Sequence, residues 1–466
     1  MAARLFPLPL TPFERHMLDD DVPGYPMTCL MQLGFQGSLD RHVFCEVFSE
    51  VLANHPLLQA RISGAESRRP QWVSDSGDAN CLCWREDGGS ASSEIMAGMD
   101  PTREPGFRLV VDRNGETTMM SMIFHHACCD GVGAARFLED LLTAYHSRIV
   151  GTPAGAGVPP VEPARLRRRG SYPRMGWLPI RVAQEIRTFI KEGHHWLCHR
   201  VTPLGHPHPP PPAEIAGDDS LLDFPTHMFS ETESNDLRAL ARQRGVTLND
   251  LLLTALFLTL EHWNAQHAPD VVTPWLRIAV PQNLREQDDH QMPAANKVTM
   301  CFLTRTHEAC RKAQTLLAGI RREMTYARHW LRGKGLLRAL SLLQRIPGLE
   351  DSLLRGERSL CTAVLSNMGN FDRWFCSSLP REGRFLRCGD LRLHRVTALS
   401  PVRPKTHAAF FVASYGGQLQ ISMRRDARVF TKDQAQQLLD RFLEDIRSLA
   451  GKLGDPVSGT PVSGNV

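Results

Sequence analysis

Residues 117–149 run a strand signal, a seven-residue polar knot and a helix signal together without a gap. No other stretch constrains the fold as tightly. Residues 117–124 (TTMMSMIF) read as a strand. Residues 132–149 read as an amphipathic helix with Phe137, Leu138, Leu141, Leu142 and Tyr145 on one face. Between them lies His125-His126-Ala127-Cys128-Cys129-Asp130-Gly131. Successive strand residues point to opposite faces, so only one of the two histidines can face a given cavity. The pair therefore reads as one working and one supporting histidine, and histidine is the side chain suited to moving protons near neutral pH. Asp130-Gly131 closes a tight turn into the helix. Gly131 permits backbone approaches that a side chain would block, and Asp130 caps the helix or holds a cation. Adjacent histidines rarely reach one ion and no second ligand cluster accompanies them, so no metal is expected.

The chain has 466 residues, enough for two sizeable cores. Its hydrophobic content of 42% and charged content of 22% are those of a globular protein. No apolar run has the length of a membrane span, and the first residues do not read as a signal peptide. The twelve cysteines are scattered, several inside apolar runs (Cys29, Cys45, Cys301, Cys361), and form no CxxC pair. Reduced, buried thiols in a cytoplasmic protein are expected, with Cys128 and Cys129 as packing residues. No glycine-rich nucleotide loop appears, which argues against ATP or NAD chemistry.

Along the chain, residues 27–36 read as a strand, and a helix is expected from Ser38 to about Ala53. A hairpin turns at Arg113-Asn114-Gly115 and delivers the chain to the motif. Residues 151–163 are rich in Gly, Ala and Pro, and residues 206–212 (HPHPPPP) read as a stiff linker. Between them, residues 165–200 carry nine Lys or Arg (165, 167, 168, 169, 174, 181, 187, 191 and 200) against Glu185 and Glu192, a surplus larger than the net +4 of the whole chain. Its expected helix, 179–200, has three readings. It lies on an anionic membrane surface, it docks an acidic carrier protein or CoA phosphates, or it is a solvated helix packed on its lobe. His194, His195, Cys198 and His199 have helical spacing within it, a minor zinc candidate. Nucleic-acid binding is not expected. The second half opens with a strand at 221–228 and a helix at 230–244. A nearly all-apolar helix capped by Thr247 follows, then strands at 275–280 and 297–303 and a long helix at 308–329. A strand at 361–366 leads into a turn at 367–370, a hairpin turns at Gly416-Gly417, and an amphipathic helix at 432–450 closes the fold.

HHxxxDG at a strand end resembles the active-site signature of the chloramphenicol acetyltransferase-like superfamily. That group includes nonribosomal peptide condensation domains, plant BAHD acyltransferases, polyketide-associated acyltransferases and bacterial wax ester synthase/diacylglycerol acyltransferases. Three further segments resemble the family in the right order. They are Thr247-Leu248-Asn249-Asp250 before the apolar helix, Pro281-Gln282-Asn283-Leu284-Arg285 after a strand, and Ser366-Asn367-Met368-Gly369 after another. The DFGWG motif of the BAHD branch is absent. The resemblance spans roughly residues 8–450.

The resemblance implies an α/β fold of two pseudo-symmetric lobes with a tunnel between them. The expected division is 1–200 for the lobe carrying HHxxxDG, 201–220 for a Pro-rich linker, 221–452 for the C-terminal lobe and 453–466 for a disordered tail. It implies that His126 is a general base and His125 its packed neighbour. Asp130 would turn away from the cavity and pair with Arg285, with Arg277 in reserve. The Gly131 backbone N–H, or Ser366 and Asn367, would meet the oxyanion. No bound cofactor is implied. The acyl donor would be acyl-CoA or a phosphopantetheine-carried thioester, with an acyl carrier protein as one partner and a small-molecule or lipid alcohol as acceptor. Amide formation from carrier-bound substrates is the alternative, and a non-catalytic member of the fold is a third reading.

Overall fold

The structure, a computed structural model, describes residues 5–75, 81–86, 94–95, 98–152, 160–171, 199–207, 220–270, 273–328, 334–346, 348–349, 359–374 and 379–454. In the first lobe, helix α1 (Pro12–Asp19) starts from a capping box between Thr11 and Glu14. Strand β1 (Thr28–Gln36) follows. Helix α2 (Arg41–Leu52) begins three residues later than expected, because Asp40 rather than Ser38 caps it by accepting the Val43 N–H. Strands β2 (Leu82–Glu86), β3 (Phe107–Asn114) and β4 (Thr117–His125) lead to helix α3 (Gly131–Val150). β3 and β4 pair antiparallel, and β4 pairs antiparallel with β1 so that His125 lies opposite Thr28. The expected apolar face of α3 is fully buried, with Phe137 and Tyr145 against Phe44 and Phe48 of α2.

The second lobe has short strand β5 (Thr226–Met228), helices α4 (Glu231–Gln243) and α5 (Leu248–His267), and strands β6 (Trp275–Asn283) and β7 (Val298–Thr306). Helices α6 (Ala313–Tyr326) and α7 (Lys334–Leu343) and strand β8 (Ala363–Asn370) come next. The strand expected at 221–228 shrinks to β5, since Pro225 has no N–H to give a ladder. The helix expected over 308–329 is broken. One turn (His307–Cys310) is capped by Thr306, the backbone leaves helical geometry at Lys312, and α6 starts afresh. β6 runs on through Pro281 because its parallel pairing with β8 covers only Ile278 and Ala279, so the proline has no ladder bond to lose there. Residues 367–370 are not a turn. β8 continues through them alongside its neighbour, with a bulge between Asn367 and Gly369.

Three strands then leave the second half for the first lobe: β9 (Arg381–Glu382), β10 (Phe385–Cys388) and β11 (Leu391–Leu399). β11 pairs antiparallel with β1, from Arg392 opposite Gln36 to Leu399 opposite Leu30. The chain returns through β12 (Ala408–Tyr415) and β13 (Gln418–Arg425), which turn at Gly416-Gly417, and ends in helix α8 (Lys432–Gly454). The first lobe is thus a seven-stranded sheet ordered β9-β10-β11-β1-β4-β3-β2, and the second a six-stranded sheet ordered β7-β6-β8-β12-β13-β5. Each sheet is backed by packed helices, α2 with α3 in one and α5 with α8 in the other. The expected α/β fold of two related lobes is what the structure has.

The linear division at 201–220 needs two corrections. Residues 381–399 belong to the first lobe's sheet, because β1 is completed by β11. Residues 201–205 are fixed to the second lobe rather than free. Thr202 N–H donates to the Trp275 carbonyl, and the Asn264 carboxamide bonds both Pro203 and Gly205. The remainder of the expected linker (208–219), the helix at 179–198 with His194, His195 and Cys198, and tail residues 455–466 lie outside the described residues. Of the basic segment's described part, Arg169 is buried in an ion pair with Glu14, and Arg165 bonds Glu162 and the Asp288 carbonyl. Among the described residues, no helix is long and apolar enough to cross a membrane.

Candidate active site

The two histidines of the motif diverge as strand geometry requires. His125 is fully buried. Its Nδ1 accepts the Ala127 N–H at 3.1 Å, so Nε2 carries the proton and donates to Asp21 Oδ2 at 3.1 Å. His126 is half-buried, its ring near perpendicular to that of Phe13 from α1 with the ring centroids 6.3 Å apart. Its N–H donates to the Met27 carbonyl at 2.7 Å, which anchors the backbone beside β1. Burial pulls the His126 imidazole below the ordinary histidine range, and His125 adds to that. Its own carbonyl, the Asp130 carboxylate and the Cys129 backbone pull the other way. The ring is therefore held neutral near pH 7, the form a base needs.

Cys128 and Cys129 do not offer a nucleophile. Both are fully buried, and burial pushes both thiols well above the ordinary range. Their S–H groups donate to the Gly106 and Asp130 carbonyls. Reactive cysteines sit in electropositive, partly exposed surroundings, unlike these.

Asp130 is 3% exposed. Its Oδ1 accepts the Gly133 N–H at 2.8 Å and so caps α3. Its Oδ2 accepts from Arg285 Nη1 at 2.8 Å and from the Lys297 N–H at 2.7 Å. The two readings left open for Asp130, cap and cation partner, are met by its two oxygens. Arg285 also bonds the Ala295 carbonyl through Nη2 at 2.7 Å. The reserve, Arg277, is elsewhere. It lies in β6, bonding Thr304 and the Leu360 carbonyl, and burial lowers its guanidinium to about 10.

Gly131 opens α3 opposite Met368 of β8, where a Cβ would come 3.0 Å from the Met368 sulfur. At Gly133 a Cβ would meet the Ala295 backbone at 2.6 Å, so the close passage of α3 under residues 294–297 needs glycine there. Ser366 is half-buried on β8. Asn367 donates to Asn249 Oδ1 at 3.0 Å and accepts the Gly369 N–H at 2.8 Å across the bulge. The segments 247–250 and 366–369, picked out separately in the sequence, thus meet through Asn249 and Asn367.

Two contributors carried no sequence signal. Asn296 donates through Nδ2 to the His126 carbonyl at 2.5 Å. His55, just past α2, is fully buried. Its Nδ1 accepts the Ala294 N–H at 2.9 Å and its Nε2 faces Asp140 at 3.0 Å. The spacing of HHxxxDG points to neither, since both depend on which loop of the second lobe passes under the motif. Among the described residues no group of three or more His, Cys, Asp or Glu is placed to hold a metal ion.

No protein-family model matches the chain. The uncharacterized protein Rv2305 of Mycobacterium tuberculosis is 27% identical over 391 residues, which cover 78% of this chain and 83% of that protein. Among solved structures, the chain is similar to the starter condensation domain of rhizomide synthetase RzmA (mutant R148A, in complex with C8-CoA). The TM-score is 0.66 at 14% identity, over 98% of both chains. It is also similar to the epimerization domain from the third module of tyrocidine synthetase B, with a TM-score of 0.64 at 12% identity over 96% of this chain and 98% of that one. At such identities the likeness is one of architecture. The chain has the two-lobed fold of these condensation and epimerization domains.

Proposed function

We propose that this protein is an acyltransferase that moves an acyl group from a thioester, acyl-CoA or a phosphopantetheine-borne chain, to an alcohol acceptor, with His126 as general base. The observation that carries this reading is the half-buried His126 imidazole just past the end of β4, its backbone bonded to Met27 and to Asn296 of the second lobe. His126 takes the hydroxyl proton as the oxygen attacks the thioester carbonyl. The tetrahedral intermediate then collapses, the C–S bond breaks, and the thiolate leaves with the proton returned by the imidazolium. A positioned base of this kind contributes about 10²–10⁴ in rate. Gly131, at the start of α3 where N–H groups lack helical partners, supplies the first oxyanion donor. Ser366 and Asn367 on β8 are the alternative donors, the Asn367 carboxamide being bonded to Asn249 and to the Gly369 N–H.

Amide formation from carrier-bound substrates is a second reading, favoured by the likeness to a starter condensation domain bound to C8-CoA. The same base serves both acceptors, so product chemistry separates them. Incubation with a series of acyl-CoA thioesters and a panel of alcohols and amines, followed by mass spectrometry, should yield esters. Amides alone would move the assignment to the second reading. His126→Ala should lose at least about 10²-fold in turnover, and unchanged turnover would sink the base assignment. The wild-type rate should hold as pH falls to 6.5 and drop only below it, because the base is protonated below its ordinary range.

A further inference from the structure

Residues 294–297 enter the site from the second lobe and are bonded to the first one position at a time. The Ala294 N–H donates to His55 Nδ1. The Ala295 carbonyl accepts the Asp130 N–H at 3.3 Å and Arg285 Nη2 at 2.7 Å. The Lys297 N–H donates to Asp130 Oδ2. At Asn296 the side chain makes the contact. Its Nδ2 donates to the His126 carbonyl at 2.5 Å and stands 3.5 Å from the imidazole Nδ1.

The carboxamide can sit only one way round, since turning it over would set Oδ1 against the His126 carbonyl. In this orientation Asn296 is 3% exposed and Oδ1 has no hydrogen-bond partner among the described residues. A buried acceptor left unpaired is unfavourable, and such a group in a native structure asks for a reason. The reason is the donor at the other end of the same amide, which holds the His126 carbonyl.

We propose that Asn296 is a positioning residue for His126, holding the backbone from which the imidazole projects and keeping a neutral amide, not a carboxylate, beside Nδ1. This rests on His126 being the base. Residues that aim a reacting group matter strongly, and a displacement of about 1 Å can lower a rate about 10²-fold. The neutral amide also matters for charge. A carboxylate in its place would repel the His126 carbonyl and favour the imidazolium, and an opposite charge within about 4–6 Å raises a histidine's pKa by about one unit or more.

The test uses the full chain labelled with ¹³Cε1-histidine, the His126 resonance being assigned by its loss in His126→Gln. Asn296→Asp should raise the His126 titration midpoint by about one unit or more and carry the acid limb of kcat/KM upward with it. Asn296→Ala should raise the midpoint less and lower kcat about 10²-fold, with KM within about twofold. If Asn296→Asp does not fold, the midpoint and kcat of Asn296→Ala decide alone. An unmoved midpoint together with an unchanged kcat in a folded variant overturns the proposal. Turnover that survives His126→Ala overturns the base reading instead, and the substrate-free titration still reports on the positioning.

Discussion

Asp130 shows how one residue can join three structures. One oxygen caps α3, the other joins Arg285 to the Lys297 backbone, and its own N–H reaches the Ala295 carbonyl. Both partners of the ion pair are largely buried. Removing one partner of such a pair leaves the other charged and unpaired, at about 3–5 kcal/mol. Asp130→Ala should therefore shift urea denaturation by that amount, and Arg285→Ala should act in the same direction. An Asp130→Ala variant of full stability and no activity would make the residue a catalyst instead. The motif's own geometry was legible because a strand period and a helix signal bracket it. Arg285 could be chosen because a resembling segment marks the position. Asn296 could not, since it lies in MPAANK, a stretch without periodicity, and its role comes from a loop folded under the motif from far along the chain.

The elements around the site are held by groups that depend on protonation. His55, at the end of α2, latches residue 294 only while its Nδ1 is unprotonated. Burial holds its imidazole below 6.5, against the upward pull of Asp140. The unfolded chain then binds a proton at a higher pH than the folded one. Stability is complete above about pH 6.5 and falls as pH drops from there toward the folded value. His126 adds to the slope in the same sense. Thermal unfolding between pH 7.5 and 5 should show a falling Tm, and His55→Asn should flatten that fall while lowering Tm at pH 7.5. Most elements near the site were legible from period and caps, including α5 with its Thr247–Asp250 capping box. The failures share a cause. The broken helix at Lys312 is set by a single backbone angle, the bulge at Asn367 by a neighbouring strand and the shortened β5 by Pro225, and hydrophobic spacing records none of them.

At the scale of the molecule, the two lobes are not separable beads. β11 completes the first sheet, Arg424 of β13 donates to the Thr28 carbonyl at 2.7 Å, and Tyr25 donates to Asp426 at 2.9 Å. A fragment of residues 1–220 should therefore lack a cooperative unfolding transition by circular dichroism, and a well-folded fragment would show that β11 is dispensable. The two-lobed plan was legible from resemblance and from the alternation of strands and helices. The exchange of strands was not, because β11 reads the same whichever sheet receives it. That exchange has a further consequence for how the molecule comes into being. Arg392 of β11 bonds Gln36 of β1 across 356 residues of chain. During synthesis, β1 must wait beside β4 with one edge unpaired until most of the polypeptide has been made. Pairings this distant in sequence slow folding, and an open edge in a waiting intermediate invites aggregation. The nascent protein is thus most vulnerable after the HHxxxDG motif has emerged and before its sheet is closed.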